Sequence, residues 1–140
     1  MITCTRRIQF CAGHRVLRHE SKCAHVHGHN YVIHVTAIGI DQELDGIGRV
    51  VDFSVLKERI GGWIDHHWDH GFLAYSEDHD VIDAIEKLGH KLYVMPHNPT
   101  AENIGRELLR IAPELLEDVG VRLMRVLVQE TENCSAEVTP

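Results

Sequence analysis

Apolar and polar positions alternate or recur along the chain in a way that predicts seven elements. Residues 2–11 carry Ile2, Cys4, Ile8 and Phe10 on one parity, a strand pattern interrupted only by Arg6. Residues 12–26 are polar and read as a loop. The run Tyr31–Ile38 is rich in β-branched residues and reads as a second strand, and the polar segment Asp41–Gly46 reads as the turn of a hairpin. Ser54 then stands where an N-cap belongs, ahead of Val55, Leu56, Ile60, Trp63, Ile64 and His67 at helical spacing. Gly61-Gly62 weakens that helix, each interior glycine costing about 1 kcal/mol relative to alanine. Residues 80–88 predict a short helix and Lys91–Met95 a short strand. Thr100 caps a further helix with Ile104, Leu108, Ile111 and Leu115 turned inward, its regular part ending near Ile111 because Pro113 follows. Val121–Val128 is the last strand, with Glu130 just past its end. Strands and helices come in runs rather than in strict alternation, so the fold class is α+β.

Composition narrows the function. The chain has 140 residues, 44% of them hydrophobic and 25% charged, which suits one domain spanning residues 1–140. A formal net charge of -7 gives no electrostatic support to binding nucleic acid or an anionic membrane. No apolar run approaches the ~20 residues needed to span a bilayer. The first residues, Met1-Ile2-Thr3-Cys4-Thr5-Arg6-Arg7, lack a hydrophobic export segment, so a cytoplasmic protein is expected. Cys4, Cys11, Cys23 and Cys134 are widely spaced and are read as thiols. The unusual figure is twelve histidines, dispersed rather than gathered in one run.

Three of them suggest a metal centre. His27 and His29 are two apart at the start of the second strand, so both side chains leave the same face. His14 lies just past the end of the first strand, close to that start if the two strands pair antiparallel. His-x-His alone is a weak signal, equally served by two surface imidazoles. Three imidazoles with an open fourth position describe a catalytic zinc site, and zinc is the expected cofactor. Cys23, four residues before His27, is then a candidate thiolate base or nucleophile. Alternatively it is a fourth ligand that closes a structural site, or a buried structural thiol. Ile64-Asp65-His66-His67-Trp68-Asp69-His70 adds a second proton-transfer candidate, a histidine oriented by a carboxylate. Composition does not choose between Asp65-His66 and Asp69-His70, and a solvated helix face would also account for the run.

Taken together these motifs resemble one family, the 6-pyruvoyltetrahydropterin and 6-carboxytetrahydropterin synthases, over nearly the whole chain. Phe10-Cys11-Ala12-Gly13-His14-Arg15 is similar to its first-ligand motif, and Cys23-x-x-x-His27-Gly28-His29-Asn30-Tyr31 to its cysteine and metal signature. Val51-Asp52-Phe53, Asn98-Pro99-Thr100-Ala101-Glu102-Asn103 and Glu130-Thr131 follow in the family's order. The family pattern Asp-His-x-x-Leu-Asn fits only Asp69-His70-Gly71-Phe72-Leu73, with Ala74 in place of the closing asparagine.

The resemblance implies a T-fold, an antiparallel sheet backed by a helix pair, assembled into a homohexamer (a dimer of trimers) with sites at subunit boundaries. It implies zinc on His14, His27 and His29, and a catalytic set of Cys23, Asp69, His70 and Glu130. Glu130 would grip the pterin edge, with backbone groups near Thr100 and the Phe53 ring as further contacts. The implied substrate is 7,8-dihydroneopterin triphosphate. The three-residue gap between Cys23 and His27 is similar to the 6-carboxytetrahydropterin branch of queuosine and deazapurine synthesis, a carbon–carbon lyase that releases acetaldehyde. The alternatives are the pyruvoyl branch, which eliminates triphosphate, and a catalytically silent pterin- or purine-binding member. Residues 75–97 are longer than in the usual bacterial form.

Overall fold

The computed structural model describes every residue from Met1 to Pro140. Its centre is a long antiparallel pair, β1 (Cys4–His14) and β2 (His27–Gly39), in which Cys4 faces Ala37 at one end and His14 faces His27 at the other. Alternation then does the sorting. Ile8, Phe10 and Ala12 of β1, with Tyr31, Ile33 and Val35 of β2, turn to one buried face. Thr5, Arg7 and Gln9 turn to the other and are exposed. β5 (Val121–Thr131) pairs antiparallel with β2, and β6 (Cys134–Val138) pairs with β5 as an edge.

The buried face is covered by two helical stretches. The first comprises α1 (Phe53–Leu56), a π-turn over Lys57–Gly61 and α2 (Gly62–His67). It contributes Leu56, Ile60 and Ile64, all fully buried. Asp52, rather than Ser54, is the N-cap, accepting from the Ser54 N–H at 2.8 Å. Gly61-Gly62 does not break the helix; the π-turn absorbs the irregularity there. The second stretch, α4 (Ala101–Leu115), is capped by Thr100 and buries Ile104, Leu108 and Ile111. It continues through Pro113 to Leu115, four residues beyond the expected end.

Three further expectations are corrected. Asp41–Gly46 is not a hairpin turn: after β2 the chain crosses to α1 without another strand. The sheet is mixed rather than antiparallel throughout, because β3 (Gly71–Tyr75) and β4 (Leu92–Met95) extend it in the order β4-β3-β1-β2-β5-β6, with β3 parallel to both β1 and β4. The last strand is also longer than expected, so Glu130 lies inside β5 and not past its end. The α+β class and the helix pair stand, and the fold is a T-fold.

The parallel extension explains the change at Ala74. A parallel pair needs a crossover, and here it is α3 (His79–Leu88), which packs Val81 against Phe72 and Ala74. Ala74 is 1% exposed. An asparagine amide there would be buried under an apolar helix without an evident partner. An alanine at position 74 thus suits the packing under α3.

Ile33, central in β2 and fully buried, measures the main core. Ile33→Ala should lower unfolding stability by about 2–5 kcal/mol in urea denaturation; a loss below about 1 kcal/mol would mean the sheet–helix interface is looser than described.

Candidate metal centre

The β1–β2 register decides the geometry of the site. His14 ends β1 as its last residue, directly opposite His27. Same-face spacing then adds His29, and one ligand nitrogen from each of the three rings lies within 4.8 Å of the others. Two of the rings are locked by main-chain carbonyls. His14 Nδ1 donates to the Pro99 carbonyl at 2.7 Å, and His27 Nδ1 to the His25 carbonyl at 2.6 Å. Both Nε2 atoms are then lone-pair acceptors, and they face each other at 3.1 Å. Two lone pairs so placed repel unless a cation stands between them. His29 Nε2 is buried with no hydrogen-bond partner, as expected of a ligand atom.

Electrostatics keeps His14 and His29 in their ligating form. Burial pushes His14 down to about 4, only partly opposed by its bond to Pro99. Burial also lowers His29, against the opposing pull of Glu130. Neutral imidazole is thus favoured at neutral pH, which is the state a divalent cation needs.

A cavity of about 220 Å³ opens beside the triad, lined by His14, Val16, His19, Cys23, Thr100 and Glu130 among others. Cys23 reaches it from a short 3₁₀ turn, Lys22–Ala24, as a free thiol. Glu130 enters from β5 at a register shift between Gln129 and Thr131, and its Oε2 lies 3.9 Å from His29 Nε2. Thr100 uses its hydroxyl to accept from the Asn103 N–H at 3.3 Å, so it offers the cavity its backbone more than its side chain. Arg15, though adjacent to His14, is committed to Asp78, its Nε donating to Oδ2 at 2.6 Å. A larger cavity, about 560 Å³ between α4 and β5 and lined by Leu109, Leu116 and Leu123, lies away from the triad.

The remaining expected residues are elsewhere in the chain. Asp69 accepts from the Cys11 N–H at 2.9 Å and holds His70 Nδ1 at 2.8 Å. Burial pushes its pKa up, but these bonds outweigh burial and keep the carboxyl below its usual range. His70 has φ 58°, a left-handed conformation uncommon outside glycine. Its side chain is 79% exposed. It opens onto a second cavity, lined also by Cys11, His27, His29, Asn30 and Phe72, rather than onto the one with Cys23. Asp65-His66 makes no such pair. Phe53, 55% exposed at the start of α1, also does not line the Cys23 cavity. Sequence reasoning passed over Tyr31, whose fully buried ring packs edge-on to His14 and His29 and whose hydroxyl lacks a partner. Its place two residues after His29 on the same strand face was the available signal.

His29→Ala should weaken divalent-metal binding by about 100-fold or more in a chelator competition titration while leaving the fold intact; an unchanged affinity would remove His29 from the ligand set.

Comparison with known proteins agrees with this geometry. The family model for 6-pyruvoyl tetrahydropterin synthase matches residues 3–140. A 6-carboxy-5,6,7,8-tetrahydropterin synthase from Rickettsia bellii is 41% identical over 140 residues, covering 99% of this chain and 100% of the relative. A probable enzyme of the same name from Halobacterium salinarum is 36% identical over 133 residues, covering 94% of this chain and 82% of the relative. Among solved structures, an uncharacterized protein from Wolinella succinogenes superposes with a TM-score of 0.83 at 24% identity, over 99% of this chain and 97% of that one. The Caenorhabditis elegans 6-pyruvoyl tetrahydropterin synthase does so with 0.70 at 22% identity, over 99% and 95%. The two structures speak for the fold, and the family model and the sequence relatives for descent: the chain belongs to the 6-pyruvoyl tetrahydropterin synthase family.

Proposed function

We propose that this protein is a zinc-dependent 6-carboxytetrahydropterin synthase acting on 7,8-dihydroneopterin triphosphate. The observation that carries the reading is the cluster of three imidazoles, with a free thiol and a carboxylate lining the small cavity that opens beside it at His14. The names of the sequence relatives point to the same branch, as does the three-residue gap between Cys23 and His27.

Bound on His14, His27 and His29, zinc would supply Lewis acidity that makes a side-chain hydroxyl of the substrate easier to deprotonate. Glu130 binds and orients. Its carboxylate can accept two hydrogen bonds from the 2-amino and ring N–H edge of a pterin, a charge-assisted pairing. Cys23 lines the same cavity, where its sulfur can take a proton from the side chain carried past it. The cavity, about 220 Å³, is smaller than the ~300–1,000 Å³ usual for whole ligands. It suits the bicyclic ring and leaves the triphosphate outside.

Asp69 fixes the His70 tautomer and so prepares a second proton-transfer group. Within one chain that pair faces away from Cys23. A homo-oligomer in which a neighbouring copy presents Asp69-His70, and with it Phe53, completes the set; the hexamer expected of the family is the assembly we propose. A single domain, a cytoplasmic location and a lyase reaction that splits a carbon–carbon bond belong to the same reading. No helix is long and apolar enough to cross a membrane. The silent-binder alternative loses its support, since Ala74 is explained by packing against α3.

Incubation with 7,8-dihydroneopterin triphosphate and mass analysis of the products tests the reading. Acetaldehyde, triphosphate and a 6-carboxytetrahydropterin are expected, with Cys23→Ala reducing turnover by about 100-fold or more while zinc stays bound. A 6-pyruvoyl product would reassign the branch, and unchanged turnover in Cys23→Ala would remove the thiol from the chemistry.

A further inference from the structure

Cys23 sits on a loop, residues 15–26, whose only regular structure is the turn Lys22–Ala24. A loop this irregular does not by itself hold a thiol to a fraction of an ångström. It is tied down from outside, at two points of the β3–α3–β4 extension. Between β3 and α3, Asp78, 2% exposed, takes Arg15 in a two-pronged ion pair. Just past β4, the Asn98 side chain grips the main chain of Leu17. Its Oδ1 accepts from the Leu17 N–H at 2.8 Å, and its Nδ2 donates to the Leu17 carbonyl at 3.0 Å. This copies the pairing of one strand residue with another. Inside the loop the neighbouring Val16 N–H donates to the Cys23 carbonyl at 2.8 Å. Asn98 therefore connects to the thiol residue through two adjacent residues and one hydrogen bond.

Asn98 is itself immobilised. Its carbonyl accepts from the Asn103 side chain at 2.9 Å and from the Thr100 N–H at 2.8 Å. The next residue, Pro99, supplies the carbonyl that fixes His14. One turn thus references the thiol loop, a metal ligand and the start of α4 to a common point.

We propose that Asn98 is a positioning residue that sets Cys23 over the metal site, with the Arg15–Asp78 pair as its second anchor; this rests on the reading of Cys23 as a proton-transfer group. Only an asparagine of this reach presents a donor and an acceptor side by side to the N–H and C=O of one residue. Aspartate sets a carboxylate oxygen against the Leu17 carbonyl, and alanine offers nothing. Neither change touches the metal ligands, Glu130 or the cavity wall.

The test uses the zinc-loaded full chain with Asn98→Asp and Asn98→Ala. Amide hydrogen exchange of the segment covering residues 15–24 should accelerate about tenfold or more, since the Leu17 N–H loses its acceptor. The kcat for triphosphate release should fall about 10–100-fold, the range that a misplacement of about 1 Å produces. KM and zinc content should stay within about twofold. If Asn98→Ala fails to fold, Asp78→Asn serves, with accelerated exchange in the same segment and a smaller loss of kcat. Unchanged exchange would overturn the proposal, and so would a loss of zinc or a rise in KM proportionate to the loss of activity. Absence of turnover in the unmodified protein would sink the functional reading, while the exchange measurement would still judge Asn98.

Discussion

Two imidazole nitrogens that face each other at 3.1 Å, each on a ring whose other nitrogen is already donating to a carbonyl, are the constraint on which this structure turns. Neutral rings in those tautomers cannot hydrogen-bond to one another, and burial disfavours the proton that would relieve them. A cation resolves the conflict. Everything needed to create it is local and regular: an antiparallel register that sets His14 opposite His27, a same-face step to His29, and two main-chain carbonyls. The fold's task is to hold that register, and the apolar faces of β1 and β2 under the two helical stretches do so.

Much of this was legible in the chain. Strand alternation identified the helix-covered face of β1, the run 31–38 identified β2, and Thr100 marked the start of α4. The histidine spacing identified a metal centre. What escaped has physical reasons. Gly71–Tyr75 is short, buried on both faces and led by a histidine in a left-handed turn, so it carries no alternation to read. Cys134–Val138 is an edge strand with little apolar content, and only its pairing with β5 makes it a strand. The π-turn at Lys57–Gly61 reconciles two glycines with a helix in a way that propensity does not describe.

The site shows the same division. Cys23, Glu130 and His14 share one cavity because strands and a tethered loop carry them there. Asp69-His70, chosen in sequence only by the spacing to Leu73, is prepared by its own hydrogen bonds and turned to a different cavity, which His27 and His29 also line. A pair ordered at such an exposed position, at the cost of a left-handed histidine, is the kind of strain that functional sites hold. The α3 crossover adds a second lesson. The same segment covers Ala74 and, through Asp78, steadies Arg15 beside His14, so a residue that reads in sequence as a departure from pattern is structurally coherent.

The central claim is an open three-histidine zinc site, and the coordination shell of the zinc-loaded protein tests it most directly. X-ray absorption at the zinc edge should show three imidazole nitrogens at about 2.0–2.1 Å and one oxygen, with no sulfur. A sulfur scatterer at about 2.3 Å would place Cys23 on the metal, close the site and contradict the account.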